Sequence, residues 1–144
     1  MTNEKFIEKK FQDMREGKNL SGMTNSLFAN GDTIYSYGYH YPLIFPIHSK
    51  NGIKYVCNTK GYSNTTSKHI AITKGFSDLQ VKLTGNVKLS GCKKNNLNLV
   101  LSLLNDQKIE IIDIMNSKNK KDTQVYKDLE QQYDTIIKAI NTLN

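Results

Sequence analysis

Leu97, Leu101, Leu104, Ile111 and Met115 recur at intervals of three, four and seven. After a polar, basic connection over 117–121, Val125, Leu129, Tyr133, Ile136, Ile140 and Leu143 do the same. This period is that of an α-helix with one apolar stripe. Asp122 is placed to cap the second segment. Two helices with a short connection pack against each other, so residues 95–144 are expected to form an antiparallel helical hairpin. Leu99, Val100, Leu103, Ile109, Ile112 and Ile114 widen the apolar surface of the first helix beyond one stripe. A helix apolar over much of its circumference needs cover on several sides. Ile112, with Leu129, Tyr133 and Ile136 of the second seam, is therefore a candidate interface for a homodimer or a protein partner.

The first half has a different period. Phe6, Ile7, Phe11 and Met14 place a short amphipathic helix over Asn3–Glu16 within an N-terminal segment 1–20, with Gly17 as its stop. Residues 33–41 read Thr-Ile-Tyr-Ser-Tyr-Gly-Tyr-His-Tyr, rich in β-formers. As one strand they put Tyr35, Tyr37, Tyr39 and Tyr41 on one face. Pro42 and Pro46 bracket Leu43-Ile44-Phe45, which suits an edge strand or a bend. Asn51-Gly52 is hairpin chemistry, with Ile53–Asn58 returning. Ser63, Asn64 and Thr65 offer caps for a helix over Thr66–Lys74 closed by Gly75. Residues 81–85 and 87–91 are near copies and predict two short strands about Gly85-Asn86. The fold expected is α+β in one domain: an N-terminal helix, a small antiparallel sheet with an added helix over 27–94, and the C-terminal hairpin.

Charge separates the segments further. Residues 35–94 hold nine lysines (Lys50, Lys54, Lys60, Lys68, Lys74, Lys82, Lys88, Lys93 and Lys94) and one acid, Asp78, whereas 95–144 hold six lysines and seven acids. The net charge of +7 therefore belongs to the middle of the chain. Such a stretch serves as an electropositive surface for phosphates or an acidic protein face, or as plain solvated surface. Lysine rather than arginine argues against base reading, which favours the planar guanidinium; the chain has one arginine, Arg15. Tyrosines beside lysines can stack on unpaired bases or fill a protein interface, and Tyr39 and Tyr41 are the contact candidates. A core role with hydrogen-bonded hydroxyls is the other reading of the same residues.

No catalytic pattern emerges. His69 has hydroxyls near it in sequence, but Thr33–Ser77 contains no carboxylate to orient an imidazole. His40, His48, Cys57, His69 and Cys92 include no pair at zinc-ligand spacing, and neither Gly-rich phosphate motif occurs. No metal, cofactor or enzymatic activity is expected. The N-terminal residues lack an apolar leader, and no apolar run approaches the length of a membrane span. A soluble bacterial cytoplasmic protein with reduced thiols is the expectation.

Residues 35–43 (Tyr-Ser-Tyr-Gly-Tyr-His-Tyr-Pro-Leu) and Asn58 through Tyr62-Ser-Asn-Thr-Thr-Ser-Lys-His-Ile70 carry a resemblance that covers residues 27–75. Together they resemble a family of small bacteriophage and mobile-element proteins with a strand ending in Ser-Tyr-Gly and a Tyr-Ser-x-Thr-Thr-Ser-Lys-His-Ile helix start. Tyr39 departs from it, standing where that pattern has a smaller residue, and the C-terminal hairpin lies outside it. The resemblance implies no catalytic residue. It implies an accessory protein that binds without catalysis, such as an inhibitor of a host CRISPR effector (an anti-CRISPR protein). A stand-alone DNA- or RNA-binding protein of phage or plasmid replication or transcription is the alternative. In physical terms the second half of the motif sets Lys68 and His69 near a helix N-terminus, where backbone N–H groups attract anions.

Overall fold

The structure, a computed structural model, describes residues 2–37, 41–61, 63–84, 93–119, 121 and 123–144. The elements run α1 (Asn3–Arg15), β1 (Leu27–Asn30), β2 (Thr33–Ser36), β3 (Tyr41–Ser49), β4 (Gly52–Asn58), α2 (Asn64–Lys74), β5 (Leu79–Val81), α3 (Lys93–Asn116) and α4 (Gln124–Leu143). One sheet takes the strands in chain order. Its first three pairings are antiparallel, and β5 joins β4 in parallel after the α2 crossover. The α+β architecture expected from the two periodicities is present, with one parallel edge that the antiparallel expectation lacked.

Helices cover both faces. Phe6, Ile7, Phe11 and Met14 of α1 meet Ile34, Ile44 and Cys57 of the sheet and Ile70 of α2. On the opposite face Phe45, Ile47, Val56, Leu79 and Val81 meet Val100, Leu104 and Ile111 of α3 and Leu129, Ile136, Ala139 and Leu143 of α4. A strand at the middle of such a sandwich loses its period-two signature, because neither face is wet. Accordingly, residues 41–47 of β3 are all buried. Burying the four apolar side chains of α1 is worth roughly 6–10 kcal/mol before the entropy of ordering it is subtracted.

Three expectations change here. Thr33–Tyr41 is not one strand: β2 ends at Ser36, and Tyr37 takes a left-handed φ of 59°. The four tyrosines therefore do not share a strand face, and Tyr39 lies outside the described residues. The proline-bracketed segment is neither edge nor bend; it is the central strand. Tyr55, opposite Pro46, directs its N–H and C=O to Asp78 instead, and β2 pairing ends at Ile34↔Ile44. Pro46 is thus asked for no ladder donor on either side. Pro42 adjoins the register shift between Ile34 and Tyr35. Of the two near copies, Val81 closes β5 and Leu83 is buried, while the second copy lies outside the described residues.

The hairpin is used mainly inside the chain. Leu129 and Ile136 are buried against α3 and the sheet, with Tyr133 packed on that cluster. Most of the surface of these three is therefore spent on the intrachain core, and Leu129 and Ile136 keep only a residual edge for any interface. Ile112 remains exposed.

Candidate functional site

The two halves of the sequence motif meet. α2 begins at an Ser63 cap, whose Oγ accepts from the Thr66 N–H at 3.1 Å. That start turns Thr66, His69, Ile70 and Thr73 inward. Ser36 Oγ, at the end of β2, lies 3.0 Å from His69 Nδ1 and 3.1 Å from Thr66 Oγ1. On the far side of the ring, Nε2 lies 3.3 Å from Ser26 Oγ and 3.5 Å from Asn3 Nδ2. Asn3 Oδ1 in turn accepts from the Thr24 hydroxyl. One imidazole thus joins α2, β2, the loop before β1 and the start of α1.

This cluster has the residue types of a nucleophile and its base, but not their setting. Ser36 and His69 are 0% and 1% exposed, and both ring nitrogens face hydroxyl or amide groups with no carboxylate on either side. Burial holds the His69 pKa below its ordinary value. A neutral imidazole has one donor and one acceptor nitrogen, which hydroxyls on both sides can satisfy. The arrangement is a polar lock between layers. His69 is correspondingly not the anion contact at a helix N-terminus that its position suggested.

A second lock lies nearby, at the C-terminal end of β4, where Tyr41 pairs with Ser36 and reaches Asn58. Asn58 Nδ2 donates to Pro42 O at 2.9 Å, and its Oδ1 accepts from the N–H groups of Lys60 and Leu83 at 3.0 and 3.1 Å. The Tyr41 hydroxyl donates to the carbonyls of Asn58 and Lys60. Tyr41 is buried, its pKa pushed well up by desolvation. It anchors a chain segment and is not the partner contact expected from sequence. The role of Asn58 was not legible in the sequence, since two of its three bonds close on residues 16 and 25 positions away and only the one to Lys60 is local.

Among the described residues the lysines do not gather on one side. Lys68 and Lys74 project from α2 on the α1/α2 face. Lys54 stands opposite Ile47, so it shares the face covered by α3 and α4, and Lys82 lies on that side too. Lys50 is in the β3–β4 turn, and half-buried Lys60 follows β4. Lys88 and the side chains of Lys93 and Lys94 lie outside the described residues. Acid-free in sequence, the middle of the chain is divided by the sheet in space.

A groove of about 730 Å³ lies between β5, α3 and α4. Residual surface of Leu104, Ile111, Leu129, Ile136 and Ala139 lines it, with Glu110 of α3 and Asp128 of α4 among its polar residues. Gln107 Nε2 donates to Lys82 O at 2.7 Å beside it. Near the connection between the helices, Ile109, Ile112, Ile114 and Val125 are between 36% and 57% exposed. They are four of the seven large apolar residues exposed among those described. All four fall on helices the sequence assigned correctly, and Ile114 is the one among them that lines the groove.

Among the described residues no three His, Cys, Asp or Glu side chains are grouped so as to hold a metal ion, and no helix is long and apolar enough to cross a membrane. Comparison with protein-family models, curated proteins and solved structures finds no match to this chain.

Proposed function

We propose that this protein acts by non-enzymatic binding, as a phage or mobile-element accessory protein that inhibits a host nucleic-acid-guided defence complex of the CRISPR effector type. Its contact is with the protein component of that complex. The observation that carries this reading is the distribution of surface types. Exposed apolar side chains concentrate at the far end of the α3–α4 hairpin, whereas the lysines are shared between opposite faces. Clustered apolar surface suits a protein interface. Phosphate tracking needs its charges along one path.

The test is expression of the full chain in bacteria that carry a CRISPR system and are challenged with a targeted phage. Phage protection, with the effector protein co-purifying on the tagged chain after nuclease treatment, is expected. No protection and no effector recovered would reject the reading. The net charge of +7 favours a second reading, a stand-alone nucleic-acid-binding protein. Under that reading purified protein shifts DNA or RNA unaided, with affinity falling steeply as salt rises.

A further inference from the structure

We infer that the groove between β5, α3 and α4 is a docking site for a cationic amphipathic helix of a protein partner. This deepens the proposed binding function and rests on it. The first argument is charge. α3 and α4 hold six carboxylates and five lysines, in a chain whose net charge is +7. Glu110 and Asp128 line the groove from its two helical walls, against one lining lysine, Lys82. Among the described residues the only ion pairs are those of Lys18, so neither carboxylate is neutralised by a lysine there. Asp128 accepts one neutral bond, from Gln124 Nε2. The charged residues lining the groove thus sum to a negative charge in a chain that is positive as a whole, which favours a cationic ligand there.

The second argument is shape. Leu104, Ile111, Leu129 and Ile136 give the groove an apolar floor between two helical walls. α4 alone has 20 residues, about 30 Å of helix. A third helix laid between two others buries an apolar stripe while its charged flanks reach the rim. A strand is the poorer occupant, because β5 has three residues and the Lys82 carbonyl beyond it is already taken by Gln107. Ile114, in the groove and exposed, continues the floor toward Val125 and so supplies an apolar end to the same path.

The test uses the full-length protein and a fluorescein-labelled helical peptide of about 18 leucine, alanine and lysine residues, apolar along one face. The control peptide has glutamate at every lysine. Anisotropy titration should show the cationic peptide binding at least about tenfold more tightly than the anionic one. The double variant Glu110→Lys, Asp128→Lys should weaken the cationic peptide by about tenfold. Thr135→Trp fills the groove from an exposed position of α4 and should abolish binding, with the circular dichroism spectrum unchanged. Equal binding of the two peptides, or binding unaltered by both variants, overturns the inference. So does binding confined to phosphatidylglycerol vesicles or to a DNA oligonucleotide. In the effector co-purification, recovery by Thr135→Trp equal to wild type leaves the proposed function standing and removes the groove from it. Recovery by neither form rejects the function itself.

Discussion

Replacing Asn58 with alanine tests whether the C-terminal end of β4 is held by one side chain. Asn58 is 2% exposed and makes three bonds, to Pro42 O, Lys60 N and Leu83 N. Alanine removes all three. The Pro42 carbonyl and the Leu83 N–H lie on buried residues, and each left unpaired costs about 1–3 kcal/mol. The Lys60 N–H is on a half-buried residue and can turn to water at little cost. The expected loss is therefore about 2–6 kcal/mol, a large share of the roughly 5–15 kcal/mol that holds a domain together. Urea unfolding followed by far-ultraviolet circular dichroism measures it, with the slope checked so that a change in the unfolded state is not mistaken for lost stability. Asn58→Asp separates bonding from packing. It keeps an acceptor for both N–H groups but sets a carboxylate against the Pro42 carbonyl, so the variant should be weak at neutral pH and recover as acid protonates it. A loss below about 1 kcal/mol for alanine, with no acid recovery for aspartate, refutes the clamp.

Two further outcomes follow from buried titratable groups. Because burial holds the folded His69 pKa below 6.5, the unfolded chain binds more protons on this residue in the window between the two values; stability is then full above the ordinary histidine range and declines as pH falls through 6.5 to the folded value. Urea midpoints measured across that window should show the decline in wild type and lack it in His69→Asn, and matching slopes would contradict the lock. Cys57 is buried beside the Thr73 hydroxyl, and burial pushes its thiol up. In a Cys92→Ser background a thiol reagent should react with it about a hundredfold more slowly than in the urea-unfolded chain, and equal rates would place the sulfur at the surface.

The helices were legible because what makes them is local. α1 starts and stops within one residue of its expected range, bounded by the Thr2 cap and by Gly17 at a φ of 73°. α2 follows from Ser63 and Gly75 in the same way, although its first turn begins at Asn64, two residues early. The strand errors have one cause. Whether residues 41–47 are an edge or a centre depends on which strands flank them, here β2 and β4, and their continuous burial on the cover supplied to both faces by residues 6–14 and 100–143. Proline's exclusion from central strands was applied where it did not bind, since register and not composition determines whether a given N–H is needed. Likewise, Tyr37 breaks the alternation through a backbone angle that no tyrosine signals in advance.

The site was less legible than the fold, because its two components give opposite signals. The motif of residues 35–43 and 62–70 was conspicuous, yet Ser36, Thr66 and His69 spend their polar atoms on one another in the interior. A buried hydroxyl and imidazole must be satisfied wherever they fall, and the need for mutual partners gives such residues a pattern as distinctive as that of a working site. The groove is the reverse case. Glu110 and Asp128 are ordinary solvated positions on their own helices and become a pair only because α3 and α4 meet across Ile111 and Leu129. The same division explains the lysines. Their run in sequence is continuous, but β4 and α2 lie on different layers of the sandwich, so Lys54 and Lys68 end on opposite sides of it. Charge counted along the chain left phosphates, an acidic protein face and plain solvated surface as equal readings, and the fold narrows them only by position. The described lysines are split between the two faces of the sheet, while Glu110 and Asp128 stand beside an apolar floor on one of them. A partner that recognised the lysines would have to reach both faces, whereas one that recognised the floor and its two carboxylates would need only one. Position on the fold, and not the count along the chain, therefore separates the readings.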